Sequence, residues 1–268
     1  MPCLKSHGAD LYYEEHGSGR PFLFSHGLGG HFNQVLPLVQ GLDGVRLILY
    51  DNRTHGRTPD AGEPQTLTFD GLADDAAAIL THLGISRAVI GGVSMGAGIA
   101  LNLGLRHPEL TRALVLSRPA WLDEPAPPNL AIFFRIADLV ERFGRDRARE
   151  VFERSDNYRE LASKFPAAAA SLIGLFAERS DEAIVASLRS IPASTPFRSK
   201  ADLCAIRVPV LVIGNHHDPV HPFAFAETLA SALPRVTLRT VISKSENQAE
   251  HERQCREVLS EFLAALEA

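Results

Sequence analysis

Short apolar runs that end in glycine-rich turns and lead into amphipathic helices recur along this chain. That alternation limits the fold more than any other feature of the sequence. Residues 88–91 run into Gly92-Val93-Ser94-Met95-Gly96, and residues 95–106 continue as a helix that is apolar on most sides. Similar runs lie at 22–25, 45–50, 114–116, 208–213 and 236–242. Each is short, bounded by turn residues and apolar throughout, as strands covered on both faces are. Between them, 70–83, 223–233 and 251–266 have helical spacing. Strands that alternate with helices predict an α/β fold with a mostly parallel, twisted sheet and helices on both faces. Residues 3–7 and 11–16 predict a two-stranded antiparallel lead-in, turning at 8–10.

The rhythm breaks after Trp121. Pro125, Pro127 and Pro128 open a stretch with five helical patterns between Leu130 and Ile191 and no strand signal. The reading is one core built from 1–121 and 197–268, with 122–196 inserted as a helical cap over the carboxyl edge of the sheet. Ligands sit at that edge in open α/β sheets.

Composition narrows the function classes. The 268 residues carry 32 acidic and 27 basic side chains, a net charge of −5, with no basic stripe to meet a nucleic acid. No apolar run approaches the ~20 residues of a membrane span, and the first residues lack an apolar signal core. Cys3, Cys204 and Cys255 are odd in number and widely spaced. They predict free thiols and a cytoplasmic protein, with neither a disulfide frame nor a metal site. A small-molecule substrate is the expected partner, with no nucleic acid or membrane, and the oligomeric state is open.

Gly92-Val93-Ser94-Met95-Gly96 matches G-x-S-x-G in a strand–turn–helix context. A sharp turn pushes the serine outward, and the flanking glycines let the turn close without Cβ clashes. The following helix aims its amides and positive dipole end at the reacting oxygen. Through this motif, His26-Gly27-Leu28-Gly29 and residues 51–58, the chain resembles the α/β-hydrolase family over nearly its whole length. In 51–58, Thr54 stands where that family usually has glycine. The resemblance implies a serine nucleophile at Ser94, an acid at Asp218 and an oxyanion hole from the backbone amides of Leu28 and Met95. It implies no cofactor. Asp123 is a fallback acid. His26 and His55 are read as loop-shaping residues.

The histidine departs from the family pattern. Ser245 occupies the usual slot after the last strand, and the nearest histidine in that region is His251. The reading assigns the base to His251 rather than to His216, His217 or His221. Those three lie beside Asp218 in sequence, where one short loop would have to hold the carboxylate and also reach the serine. Trp121, Phe133 and Phe134 are the expected substrate-lining residues. Two functions stay open: a hydrolase of an ester, lactone or thioester acting through acyl-Ser94, or a repurposed fold acting as a lyase, cyclase or ligand-binding protein. No metal ligand set is expected.

Overall fold

The computed structural model describes residues 3–177 and 179–266. Its sheet has eight strands: β1 (Cys3–Ser6), β2 (Ala9–Gly17), β3 (Arg20–Ser25), β4 (Val45–Tyr50), β5 (Ala88–Val93), β6 (Thr111–Ser117), β7 (Val210–Gly214) and β8 (Val236–Thr240). The spatial order is β1-β2-β4-β3-β5-β6-β7-β8. β1 and β2 pair antiparallel, β2 is antiparallel to β4, and the other neighbours are parallel. The antiparallel lead-in and the six apolar runs are therefore the strands they were expected to be.

Side chains alternate between the two faces of the sheet. Leu23, Ile48, Ile90, Leu114 and Val212 face the layer of α2 (Phe69–His82), α3 (Met95–Arg106) and α9 (Phe223–Ala232). Phe22, Phe24, Leu49, Val89 and Ile213 face α1 (Phe32–Val39) and α10 (Gln248–Ala265). The sequence reading assigns no helix to 32–39, a segment with Pro37 inside it. Phe32, Val35, Leu38 and Val39 nevertheless fall on one face and bury against the sheet.

Between β6 and β7 the chain forms α4 (Ala131–Phe143), α5 (Arg145–Glu153), α6 (Asp156–Lys164), α7 (Pro166–Gly174) and α8 (Asp181–Ser190). Among the described residues, no helix is long and apolar enough to cross a membrane. The three cysteines are free, with Cys255 buried.

Two features of the sheet place a site. The chain leaves β3 toward β4 on one side, while β5 lies on the other, so the connections diverge at the carboxyl ends of β3 and β5 and open a crevice. The register then levels four strand ends there: Ser25 pairs with Gly92, Val93 with Ser117, and Ser117 with Ile213. The residues that follow are His26, Ser94, Arg118 and the segment Asn215–Asp218.

Candidate active site

Ser94 sits between β5 and α3 with φ of 59°, in the left-handed region that ordinary residues avoid. The glycines around it are required by space. A Cβ at Gly92 would run into the backbone of Gly96, and one at Gly96 would run into the carbonyl of Ser25. The Ser94 N–H donates to Ser117 O at 2.9 Å, and its carbonyl accepts from Ala97 N at 3.0 Å, which starts the helix. Sheet and helix thus fix the serine from both sides.

The loop after β3 lies against this turn. A Cβ on Gly27 would come 3.3 Å from the Cβ of Ser94. Two buried imidazoles shape the loop. His55 Nε2 accepts the Gly29 N–H at 2.8 Å while its Nδ1–H donates to Arg53 O at 2.8 Å. His26 Nε2 accepts the Asn52 N–H at 3.0 Å and its Nδ1–H donates to Gly27 O at 2.8 Å. Burial lowers the pKa of both, to about 4 for His26, so they stay neutral and can accept as well as donate. Among the described residues, the amides of Leu28 and Met95 have no hydrogen-bond partner.

Thr54 adopts φ of 69°, which explains the usual glycine at this place. A β-branched residue is strained there. The buried Arg179 of the helical insertion donates from Nε to Thr54 O at 2.8 Å, tying the strained turn to α8 through a further bond to Ala183 O at 3.0 Å.

The imidazole at Ser94 belongs to His221, not to His251. His221 Nε2 lies 2.9 Å from Ser94 Oγ, and its Nδ1 lies 2.9 Å from Asp218 Oδ2. A carboxylate only accepts, so Nδ1 carries the proton and Nε2 is free to accept from the serine hydroxyl. The expectation that one short loop could not supply both groups fails for a local reason. Asp218 Oδ1 takes the N–H groups of Val220 (3.1 Å) and His221 (3.2 Å), curling Asp218-Pro219-Val220-His221 into a turn. The other carboxylate oxygen then meets the ring three residues on. Burial opposes charge on Asp218, but His221 and the Arg118 guanidinium, 3.2 Å away, outweigh it and hold the carboxyl well below its usual range. Burial lowers the His221 pKa, against a smaller upward pull from Asp218, and keeps the neutral form that a base needs.

His251 has another task. It lies one turn into α10, which begins at Gln248 behind an Asn247 cap. Its ring is 0% exposed, with Nδ1–H donating to Ile242 O at 2.7 Å and Nε2 3.6 Å from Cys255 Sγ. It pins the last helix to the end of β8. Ser245, at the slot where a histidine was expected, accepts no role at Ser94 either: its N–H bonds Ser243 Oγ at 3.2 Å.

A cavity of about 460 Å³ opens beside Ser94 and His221. Gly27, Leu28, Gly29, Phe133, Leu172 and Val220 form much of its wall. Of the three expected substrate-lining residues, Phe133 lines this cavity, and Trp121 and Phe134 do not. Trp121 is 2% exposed and turns its ring edge onto Phe69, 5.3 Å between centroids. Phe134 is rotated about 100° from Phe133 around α4 and is half-buried away from the cavity. A larger cavity, about 560 Å³, opens near Phe69, Asn102 and Arg198 and contains none of Ser94, Asp218 and His221.

The family model described as alpha/beta hydrolase fold matches residues 20–247. The chain belongs to the α/β-hydrolase family. It is 31% identical over 242 residues to a putative carbamate hydrolase, RutD, of Rhizobium rhizogenes, covering 85% of this chain and 87% of that one. It is 30% identical over 259 residues to a non-heme haloperoxidase of Rhodococcus erythropolis, covering 89% and 90%. Among solved structures, a carboxylesterase of Nitrososphaera gargenis superposes with a TM-score of 0.80 at 25% identity, covering 99% and 98% of the two chains. An esterase of Thermogutta terrifontis, at 21% identity and a TM-score of 0.79 over 100% of both chains, shares the fold. The family model and the relative RutD support a general hydrolase activity.

Proposed function

We propose that this α/β-hydrolase cleaves an ester, lactone or thioester of a small, partly apolar substrate through an acyl-Ser94 intermediate. The observation that carries the reading is the chain of hydrogen bonds from Ser94 Oγ through both nitrogens of His221 to Asp218, 2.9 Å at each link. A repurposed fold acting as a lyase, cyclase or binding protein drew its support from the empty histidine slot at Ser245. The imidazole of His221 beside Ser94 supports the hydrolytic reading instead.

In this mechanism Ser94 Oγ attacks the substrate carbonyl carbon while its proton passes to His221 Nε2. Asp218 holds the ring in the Nδ1–H tautomer and stabilises the imidazolium. The developing oxyanion is met by the Leu28 and Met95 amides, and such donors supply roughly 10²–10³ in rate each. The carbonyl bond to the leaving oxygen or sulfur breaks, and His221 returns the proton to it. Water then attacks the acyl group, gives a proton to His221 and leaves the carboxylic acid, and Ser94 regains its hydrogen.

The segment 122–196 acts as the cap. Its Phe133, Ala167, Ala170, Ser171 and Leu172 close the cavity over Ser94. The apolar part of that wall suits a hydrocarbon portion of the substrate.

The test is Ser94→Ala, assayed on short-chain 4-nitrophenyl esters and with a fluorophosphonate probe. Loss of labelling and a fall in kcat on the order of 10⁴ or more, with an unchanged melting temperature, are expected. Retention of most of the wild-type rate would exclude the acyl-serine route.

A further inference from the structure

The loop after β8 no longer supplies a base, and the side chain that it contributes to the cavity is Lys244. Facing the same cavity is Arg118, the first residue after β6. Arg118 has an uncommon position for a cation. It is 11% exposed and adopts φ of 47°. Its backbone N–H is held by Ile213 O at 2.7 Å. One guanidinium nitrogen, Nη1, is 3.2 Å from Asp218 Oδ2, while Nε is buried without a hydrogen-bond partner. Leaving a buried charged donor unpaired is costly unless a ligand completes it.

Lys244 forms no ion pair among the described residues. The nearest carboxylates have other partners. Asp218 serves His221 and Arg118, and Glu252, which also lines the cavity, accepts from Gln248 Nε2 at 3.0 Å. Arg118 lies close enough to Lys244 that its charge is the main reason the ammonium's pKa falls to about 8. Two cations are therefore held together beside the serine; Asp218 offsets Arg118, and Glu252 lines the same cavity without forming an ion pair with Lys244. The Asp218 pair accounts for Arg118, but packing gives no reason for a second cation beside it, because each raises the cost of the other.

We infer that Arg118 and Lys244 form a subsite for a carboxylate on the substrate, so that the preferred substrate is an ester or lactone carrying a second, ionised carboxyl group. The inference rests on the acyl-serine reading above. A carboxylate here would meet the part of the Arg118 side chain that lines the cavity and neutralise Lys244, while the scissile carbonyl reaches Ser94. Arginine and lysine then have separate parts: a planar donor that fixes orientation and a mobile charge that follows the substrate.

Two ester pairs test this: mono-4-nitrophenyl succinate and glutarate, each against its methyl 4-nitrophenyl diester. Leaving group and chain length match within a pair, so the ratio of kcat/KM values reports only the carboxylate. The wild type is expected to favour a monoanion by roughly tenfold or more, and added salt should shrink that ratio. Lys244→Gln should lower the ratio, and Lys244→Glu should lower it further, below one. A ratio near one in the wild type that neither variant moves, with the neutral esters turned over and Ser94 labelled by fluorophosphonate, would overturn the subsite and leave the hydrolase standing. Failure of the wild type both to label and to cleave any of the four esters would overturn the acyl-serine reading itself, and the subsite with it.

Discussion

The loops that follow β7 and β8 emerge side by side at the same edge of the sheet, and each is followed by a residue or turn containing a buried or nearly buried histidine. They use it in opposite ways. After β7, His221 has one nitrogen on a carboxylate and the other on a serine hydroxyl. After β8, His251 has one nitrogen on a backbone carbonyl and the other beside a thiol. Both rings are kept neutral by burial, and what their nitrogens touch separates their roles. The β7 loop can hold acid and base together because Asp218 caps its own turn, and the β8 loop is thereby released to present Lys244.

The largest effect expected from breaking this contrast is at the acid. Asp218→Asn keeps the size of the side chain but removes the charge and the pure acceptor that sets the His221 tautomer. We expect kcat to fall on the order of 10⁴, with KM little changed, in a steady-state ester assay. A fall of less than tenfold would mean that another group orients the ring.

The β8 loop should answer with stability. His251→Ala removes the bond to a buried carbonyl and leaves a cavity beside Cys255, at a cost of about 2–4 kcal/mol in urea unfolding. Its kcat should stay within a few-fold of wild type. A normal unfolding midpoint would show that the ring does not hold α10 to β8.

pH separates the histidine at Ser94 from those buried elsewhere. His26 and His251 titrate at about 4 in the folded protein against an ordinary 6.5 when unfolded, in both cases because burial disfavours the charged ring. Between those values the unfolded chain binds more protons, so stability is full above about pH 6.5 and is lost as pH falls toward 4. Melting temperatures across that range should drop steadily, and His251→Ala should flatten part of the slope. For His221, the lowered pKa places the acid limb of kcat/KM below the ordinary histidine value of 6.5, since only the neutral ring accepts the serine proton. An acid limb above 6.5 would contradict the burial seen for this ring. This is the smallest of the effects expected.

Much of this arrangement is legible in the sequence, because it rests on local rules. The glycines of 92–96 follow from close backbone approach, and the apolar runs follow from strands buried on both faces. The five helices of the insertion are visible from periodicity, whereas α1 is masked by Pro37. The base is the part that sequence hides. Its position depends on a turn whose hydrogen bonds come from a side chain, and spacing along the chain gives no sign of which imidazole faces inward. The available signal is an Asp, followed by Pro, three residues before a histidine that precedes a helix, which allows an i, i+3 meeting. Trp121 fails as a lining residue for a related reason: the direction it takes on leaving β6 is set by Phe69, from a distant part of the chain.

The central claim is that His221, and not His251, activates Ser94. The most direct test is the second-order rate of Ser94 labelling by a fluorophosphonate in wild type, His221→Ala and His251→Ala, measured side by side at neutral pH on folded protein. Near-wild-type labelling is expected for His251→Ala and a loss on the order of 10³ or more for His221→Ala. The reverse pattern, slow labelling without His251 and fast labelling without His221, would contradict that claim.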